Sequence, residues 1–222
     1  MKPAKPNLVF STVHLSANVE IAPNVHLLRM DKPFAFKAGQ VIGIRLDAGQ
    51  PHRLYSIASG EQEDKLEVLF DINPEGLLTP SLAKLRPGDA LEISTPFGFF
   101  LNSPGPACWI ATGTGIAPFR SMFRTGPYEN KTLIHGARNA RMFFFQDDFQ
   151  SVLGQYYIRC SSRGVISDGY NGRLTQYLSE KKDLSPETTY MLCGNAEMVV
   201  EVRDLLISRG IPFGQIRAEI YF

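Results

Sequence analysis

Over residues 8–101 apolar and polar positions alternate within short stretches rich in β-branched and aromatic side chains. The alternation predicts strands at residues 9–14, 25–30, 41–46, 54–58, 66–71 and 90–94, because successive side chains of a strand face opposite sides of its sheet. Turn-forming groups separate them: Ala22-Pro23-Asn24, Lys37-Ala38-Gly39, Asp47-Ala48-Gly49 and Arg86-Pro87-Gly88-Asp89. Six short strands at this spacing predict an antiparallel barrel or sandwich. A short helix is expected at residues 80–84, where Thr79-Pro80 reads as an N-cap hydroxyl followed by Pro at the first helical position.

The rhythm changes after residues 101–106, LNSPGP, whose prolines and glycine oppose both helix and ladder. Apolar runs at residues 108–111, 132–135, 156–160 and 190–193 then alternate with helical patterns near residues 117–123, 143–153, 174–181 and 198–208. That alternation predicts a doubly wound parallel sheet. The expected organisation is a β domain over residues 1–101 joined to an α/β domain over residues 102–222.

Composition narrows the function classes. Apolar residues make up 44% and charged residues 20% of the 222 positions, ordinary for a globular chain. A formal net charge of +1 gives no field that would draw nucleic acid or an anionic membrane. No apolar run is long enough to span a bilayer, and the opening MKPAKPNLVF lacks a signal-peptide core. Cys108, Cys160 and Cys193 are scattered, with no C-x-x-C, so neither a metal site nor an iron–sulfur cluster is indicated. This fits a reducing compartment, and the cytoplasm is the expected location.

The stretch WIATGTGIAP, from Trp109 to Pro118, carries candidate chemistry. A strand ends near Ala111, Gly113 and Gly115 open a turn, and Pro118 can begin a helix. Such a turn lets backbone approach a pyrophosphate at a helix N-terminus. Pro118 stands where the dinucleotide fingerprint has a third small residue, so the turn also reads as purely structural. NAD-binding sites carry an acid about 20 residues on; here TLIHGARNAR offers Arg138 and Arg141 instead. Arg163 and Arg173 follow at later strand or turn ends. Guanidinium groups suit a 2′-phosphate, although each arginine taken singly reads equally as a solvated loop residue. As a set they point to NADP(H).

Arg53–Ser56, RLYS, lies on a predicted strand with Arg53 and Tyr55 on one face. With EGLLTPSL (75–82), ATGTGIAP (111–118), MLCGNAEMV (191–199) and the ending AEIYF (218–222), it forms an ordered series. On these motifs the chain resembles the ferredoxin–NADP reductase family along nearly its whole length, most closely the bacterial type that serves ferredoxin or flavodoxin. The resemblance implies an antiparallel Greek-key β-barrel holding FAD, followed by a doubly wound parallel sheet holding NADP(H). It implies an enzyme that moves hydride between NADP(H) and FAD, and single electrons to or from ferredoxin or flavodoxin.

Residue by residue, the resemblance implies that Arg53 holds the flavin phosphate, Tyr55 packs on one isoalloxazine face, and Ser56 hydrogen-bonds near flavin N5, with Leu54 beside them. Gly76, Leu78 and Thr79, with the amides that follow, would cradle the pyrophosphate. Thr112, Gly113, Thr114 and Gly115 would line the NADP pyrophosphate and nicotinamide channel. Arg138, Ser162, Arg163 and Arg173 would meet the 2′-phosphate, while Arg141 has no family counterpart. Cys193 and Gly194 would sit beside nicotinamide C4, and Glu219 would serve proton movement. Tyr221 would cover the second flavin face and Phe222 would extend towards the adenine, where the bacterial relatives end in Trp. Two alternatives stay open. One is a reductase of free flavin or the reductase component of an oxygenase; the other is a flavin- or nucleotide-binding subunit without turnover.

Overall fold

The computed structural model describes residues 8–221. Its first half contains β1 (Phe10–Ala22), β2 (Val25–Asp31), β3 (Val41–Arg45), β4 (Arg53–Ser56), β5 (Lys65–Asp71), the four-residue helix α1 (Thr79–Leu82) and β6 (Ala90–Ser94). The strands form an antiparallel sheet in the order β4-β3-β6-β1-β2-β5, with β6 inserted between β3 and β1 in Greek-key fashion. A bridge from Ile57 to Val68, with Ala58 N–H donating to the Glu67 carbonyl, brings the chain after β4 back onto β5 and closes the sheet into a barrel. Leu28, Met30, Ile42, Ile44, Leu66 and Ile93 fill its interior and are fully buried.

Two expectations change here. The strand expected to end at residue 14 runs on to Ala22, because its polar stretch pairs with β2 across a tight turn at Pro23-Asn24. Asn24 adopts the left-handed conformation (φ 63°), and its N–H donates to Glu20 Oε1. A backbone ladder needs an apolar inner face and tolerates polar residues on the outer one. The expected N-cap hydroxyl of Thr79 is also corrected. Leu78 occupies the cap position in helical conformation without a side-chain bond, and Thr79 Oγ1 instead accepts from the Asn73 N–H at 2.9 Å. Thr79 is already inside the helix, so its hydroxyl ties down the preceding loop. The helix is held from its far end: Asn18 Nδ2 donates to the carbonyls of Leu82, Ala83 and Leu85 at 3.1, 3.2 and 2.8 Å.

After residues 101–106, which form no regular element, the second half runs β7 (Ala107–Thr112), α2 (Ala117–Thr125), β8 (Lys131–Ala137), α3 (Gln146–Leu153), β9 (Tyr157–Ser161), β10 (Tyr170–Asn171), α4 (Leu174–Glu180), β11 (Thr189–Asn195), α5 (Ala196–Ser208) and β12 (Ile216–Tyr221). Its sheet is wholly parallel, in the order β10-β9-β8-β7-β11-β12, with packed side chains on both faces. Trp109 is fully buried on one face, stacked at 5.8 Å on Phe119 of α2. Ile110 and Leu192 lie on the other face, in one cluster with Leu178 of α4 and Val202 of α5. The chain leaves β7 towards β8 on one side and returns at β11 on the other, so the carboxyl ends of β7 and β11 flank a topological switch point, where open α/β sheets bind ligands. The helix expected from residue 143 begins only at Gln146, because Phe145 is left-handed (φ 59°) and residues 143–145 turn into the core.

Candidate active site

The two halves meet where β4 of the barrel faces the carboxyl ends of β7, β11 and β12. Ser56 closes β4 with 1% of its surface exposed, and its hydroxyl donates to Glu219 Oε2 at 2.9 Å. The two residues are 163 positions apart in sequence. Glu219 on β12 is the register partner of Cys193 on β11, and Cys193 pairs on its other side with Ala111 of β7. Ala111 leads directly into Thr112 and the glycine turn, so Ser56, Glu219, Cys193 and the turn at residues 112–115 share one edge. Burial raises the Glu219 carboxyl above the ordinary carboxylate range, and the Ser56 bond only partly opposes it.

The glycine turn is a one-turn 3-10 helix, Gly113–Ile116, that feeds α2 with Pro118 in its first turn. Gly113 has φ 56° and opens to free space, whereas a Cβ on Gly115 would collide with the Cys193 carbonyl. The turn therefore lies directly on the Cys193–Gly194 peptide. Gly194 meets the same demand from the other side: its φ is 153°, and a Cβ there would strike Thr112 Oγ1. That hydroxyl oxygen is buried and has no hydrogen-bond partner among the described residues, so a polar atom waits at the mouth of a cradle only glycines allow. An anionic dinucleotide fits this cradle.

On the barrel side, Tyr55 is half-buried with its ring edge towards Phe70, at 6.4 Å between centroids. Burial pushes its phenol up to about 12, with Arg53 opposing, so the hydroxyl keeps its proton. Arg53 is exposed and enters no salt bridge among the described residues. Leu54 and Leu77 are 52% and 85% exposed. Exposed large apolar side chains flanking an uncommitted cation suit a ring system that carries a phosphate. Leu78 belongs to the barrel core, so only its backbone can face a ligand, and Gly76 turns back over Asn73.

The arginines separate into a pair and two singles. Arg163 N–H donates to the Arg138 carbonyl at 2.9 Å, setting the two side by side at the carboxyl ends of β8 and β9, both exposed. Ser162 stands next to them, its N–H donating to the Ala137 carbonyl. Arg173 caps the start of α4 and lies 3.6 Å from Glu197 of α5. Arg141 sits apart on the 3-10 helix Ala140–Met142. The backbone of Tyr221 pairs with Asn195 at the end of β12, while the Tyr221 side chain and Phe222 lie outside what the structure describes.

Sequence reading missed a buried charge cluster at the junction: Glu67 of β5 and Arg120 of α2, 1% and 5% exposed. The available signal was a charge at a core position in each of two apolar segments, LEVLF and APFRSMF. Among the described residues no group of three His, Cys, Asp or Glu side chains is placed to hold a metal ion, and no helix is long and apolar enough to cross a membrane.

Comparison with known proteins follows this division. A model described as an oxidoreductase FAD-binding domain matches residues 8–101, and one described as an oxidoreductase NAD-binding domain matches residues 109–204. The chain is 36% identical over 206 residues to a ferredoxin–NADP reductase of Pseudomonas aeruginosa, covering 79% of this chain and 80% of the relative. It is 30% identical over 188 residues to the flavodoxin/ferredoxin–NADP reductase of Escherichia coli, covering 74% and 76%. The crystal structure of a ferredoxin NADP+ reductase from Neisseria gonorrhoeae with bound FAD and NADP superposes with a TM-score of 0.88, at 25% identity, over 96% of this chain and 99% of that one.

Proposed function

The chain belongs to the ferredoxin–NADP reductase family, and we propose from this that it exchanges electrons between NADPH and a small acidic one-electron carrier, a ferredoxin or flavodoxin, in the cytoplasm. Residues 1–101 hold FAD and residues 102–222 hold NADP(H). Bound FAD would supply the redox chemistry, converting between the electron pair that NADPH carries as hydride and the single electrons that a ferredoxin or flavodoxin exchanges.

The protein's part is to bind, align and exclude water. Arg53 neutralises the flavin phosphate, and the backbone at Gly76, Leu78 and Thr79 receives the pyrophosphate. Tyr55 covers one ring face, beside Leu54, and Ser56 directs its hydroxyl to the N5 edge. Thr112, Gly113, Thr114 and Gly194 cradle the nicotinamide dinucleotide. Arg138, Ser162, Arg163 and Arg173 take its 2′-phosphate. Cys193 is fully buried and contributes bulk without water beside the reacting carbon, a position that needs no thiolate. Glu219, whose carboxyl is raised by burial, accepts a hydrogen bond from the Ser56 hydroxyl and is placed to take up or release a proton as the flavin changes redox state. Cys108 and Cys160 are unpaired buried thiols, in keeping with a reducing compartment.

The observation that carries this reading is the 2.9 Å bond from Ser56 to Glu219, which unites the RLYS strand with the chain's last strand beside Cys193. The test is an absorbance spectrum of the purified protein, followed by anaerobic titration with NADPH and NADH for the wild type and Arg163→Ala. NADPH should bleach the flavin at lower concentration than NADH. Arg163→Ala should raise the NADPH requirement by about tenfold, the scale of one charge-assisted hydrogen bond, and leave NADH unchanged. A wild type that prefers NADH, or a variant indistinguishable with NADPH, overturns the cofactor assignment. Reduction of purified ferredoxin and flavodoxin, set against free flavin, tests the acceptor.

A further inference from the structure

Glu67 projects from β5 with 1% of its surface exposed, and a lone carboxylate there would be strongly disfavoured. Burial pushes its carboxyl up, but the guanidinium groups of Arg120 and Arg29 outweigh this and hold it below the ordinary range. Arg29 donates from Nε to Glu67 Oε1 at 2.8 Å; it stands on β2, in the same barrel, and is half exposed. The other partners cross from the second half. Arg120 donates to Glu67 Oε2 at 2.5 Å and to the Ala58 carbonyl at 3.0 Å, with its guanidinium 4.1 Å over the Phe145 ring. Arg124 reaches Glu67 at 3.4 Å and Glu63 at 2.6 Å. Beside them the Ser121 hydroxyl donates to the Ser59 carbonyl at 2.6 Å, and Glu61 N–H donates to Thr125 Oγ1 at 3.0 Å.

Position along the chain gives this cluster its meaning. Ala58 and Ser59 follow Ser56 almost at once, and Arg120 belongs to the helix that the glycine turn feeds. The cluster thus ties the segment leaving the flavin-facing strand to the element carrying the nicotinamide turn. We infer that Arg120, through its bonds to Glu67 and Ala58, is a positioning residue for hydride transfer, fixing how the turn at residues 112–115 is presented to Tyr55 and Ser56. This rests on the function proposed above. Hydride moves between two rings held by different halves of the chain, and a misplacement of about 1 Å can slow such a step by about a hundredfold. A guanidinium reaches Ala58 and Glu67 in one plane while stacking on Phe145; an ammonium keeps the charge and loses the plane.

Arg29 supplies the control, because it pairs with the same carboxylate without crossing between the halves. Flavin bleaching by saturating NADPH is followed by anaerobic stopped flow in the wild type, Arg120→Lys and Arg29→Gln. Melting temperatures and amide hydrogen exchange at Glu61 are measured on the same flavin-bound samples. Arg120→Lys should bleach about tenfold more slowly, with NADPH half-saturation within about twofold of wild type and faster exchange at Glu61. Arg29→Gln should keep the wild-type rate and Glu61 protection even if it melts earlier. Should Arg120→Lys not fold, Ser121→Ala removes one crossing bond without stranding a charge, and it should slow bleaching by about threefold. An unchanged rate in the crossing variant, or equal losses in it and Arg29→Gln, overturns the inference. A wild-type flavin that NADPH does not bleach overturns the underlying function instead, and does so without any substitution.

Discussion

His135 is fully buried on β8, its Nδ1 3.0 Å from the Tyr157 hydroxyl, and its Nε2 has no partner among the described residues. Burial pushes its pKa down to about 3. In the unfolded chain the ring takes a proton below about pH 6.5, while the folded ring stays neutral until about pH 3. Its contribution is therefore fully present above pH 6.5 and is lost as pH falls through that window, at about 1.4 kcal/mol per pH unit. Urea unfolding at a series of pH values should show this slope, and His135→Gln should flatten it by one proton. Glu67, with a lowered carboxyl, adds an acid-side loss in both proteins, so the difference between them isolates the histidine. Sequence did not mark His135, since a histidine in an apolar strand carries no local sign of what lies opposite it. Glu219 differs: resemblance put it near the flavin, but its bond to Ser56 was not legible, because contact across 163 positions leaves no periodicity. Gly113 and Gly115 were legible as a turn from residues alone, whereas Gly194 was open only through resemblance; at Gly115 and Gly194 the close approach of neighbouring atoms leaves no room for a Cβ.

A helix of four residues does not stand by itself in water, and α1 stands because its surroundings hold it. Thr79 anchors the loop before it, and Asn18 supplies hydrogen bonds to three carbonyls at its end, while Asn18 Oδ1 lies 2.9 Å from Nδ1 of His26. Asn18→Ala should cost about 1–3 kcal/mol of unfolding free energy, the scale of leaving part-buried groups unsatisfied. It should also speed flavin dissociation; urea midpoints and flavin release measured together check both. This clamp was invisible beforehand, because Asn18 sits in a polar run that reads as loop and became the outer half of β1. Strands with a β-branched inner face were legible nearly to their ends. The two-residue β10 was not, since two residues show no period. Helix α5 begins two residues earlier than its apolar pattern, at Ala196, because Asn195 caps it by accepting from Met198 N–H at 2.8 Å.

For the whole molecule, the switch from alternating to helical rhythm announced an antiparallel barrel or sandwich followed by a parallel sheet, and the resemblance chose the barrel. What rhythm cannot state is how two such bodies sit against each other, because that geometry is carried by contacts between distant segments: Ala58, Leu69 and Phe100 share one apolar cluster with Trp109, Phe119 and Met122, and buried polar groups cross beside it. Glu67 and Arg120 are 53 positions apart and each looks misplaced alone. With the crossing contacts intact, the halves should unfold together, so that loss of flavin and loss of second-sheet packing coincide in urea. In Arg120→Lys the two transitions should separate.

Trp109 makes that separation visible without any label. It is the chain's one tryptophan, sealed in the second sheet against Phe119 with no surface exposed. Its emission therefore reports on the packing around that sheet, while the bound flavin's own colour reports on the barrel. The protein carries two optical channels, one in each half, and light absorbed by the indole and passed to the flavin would gauge how closely the halves hold together.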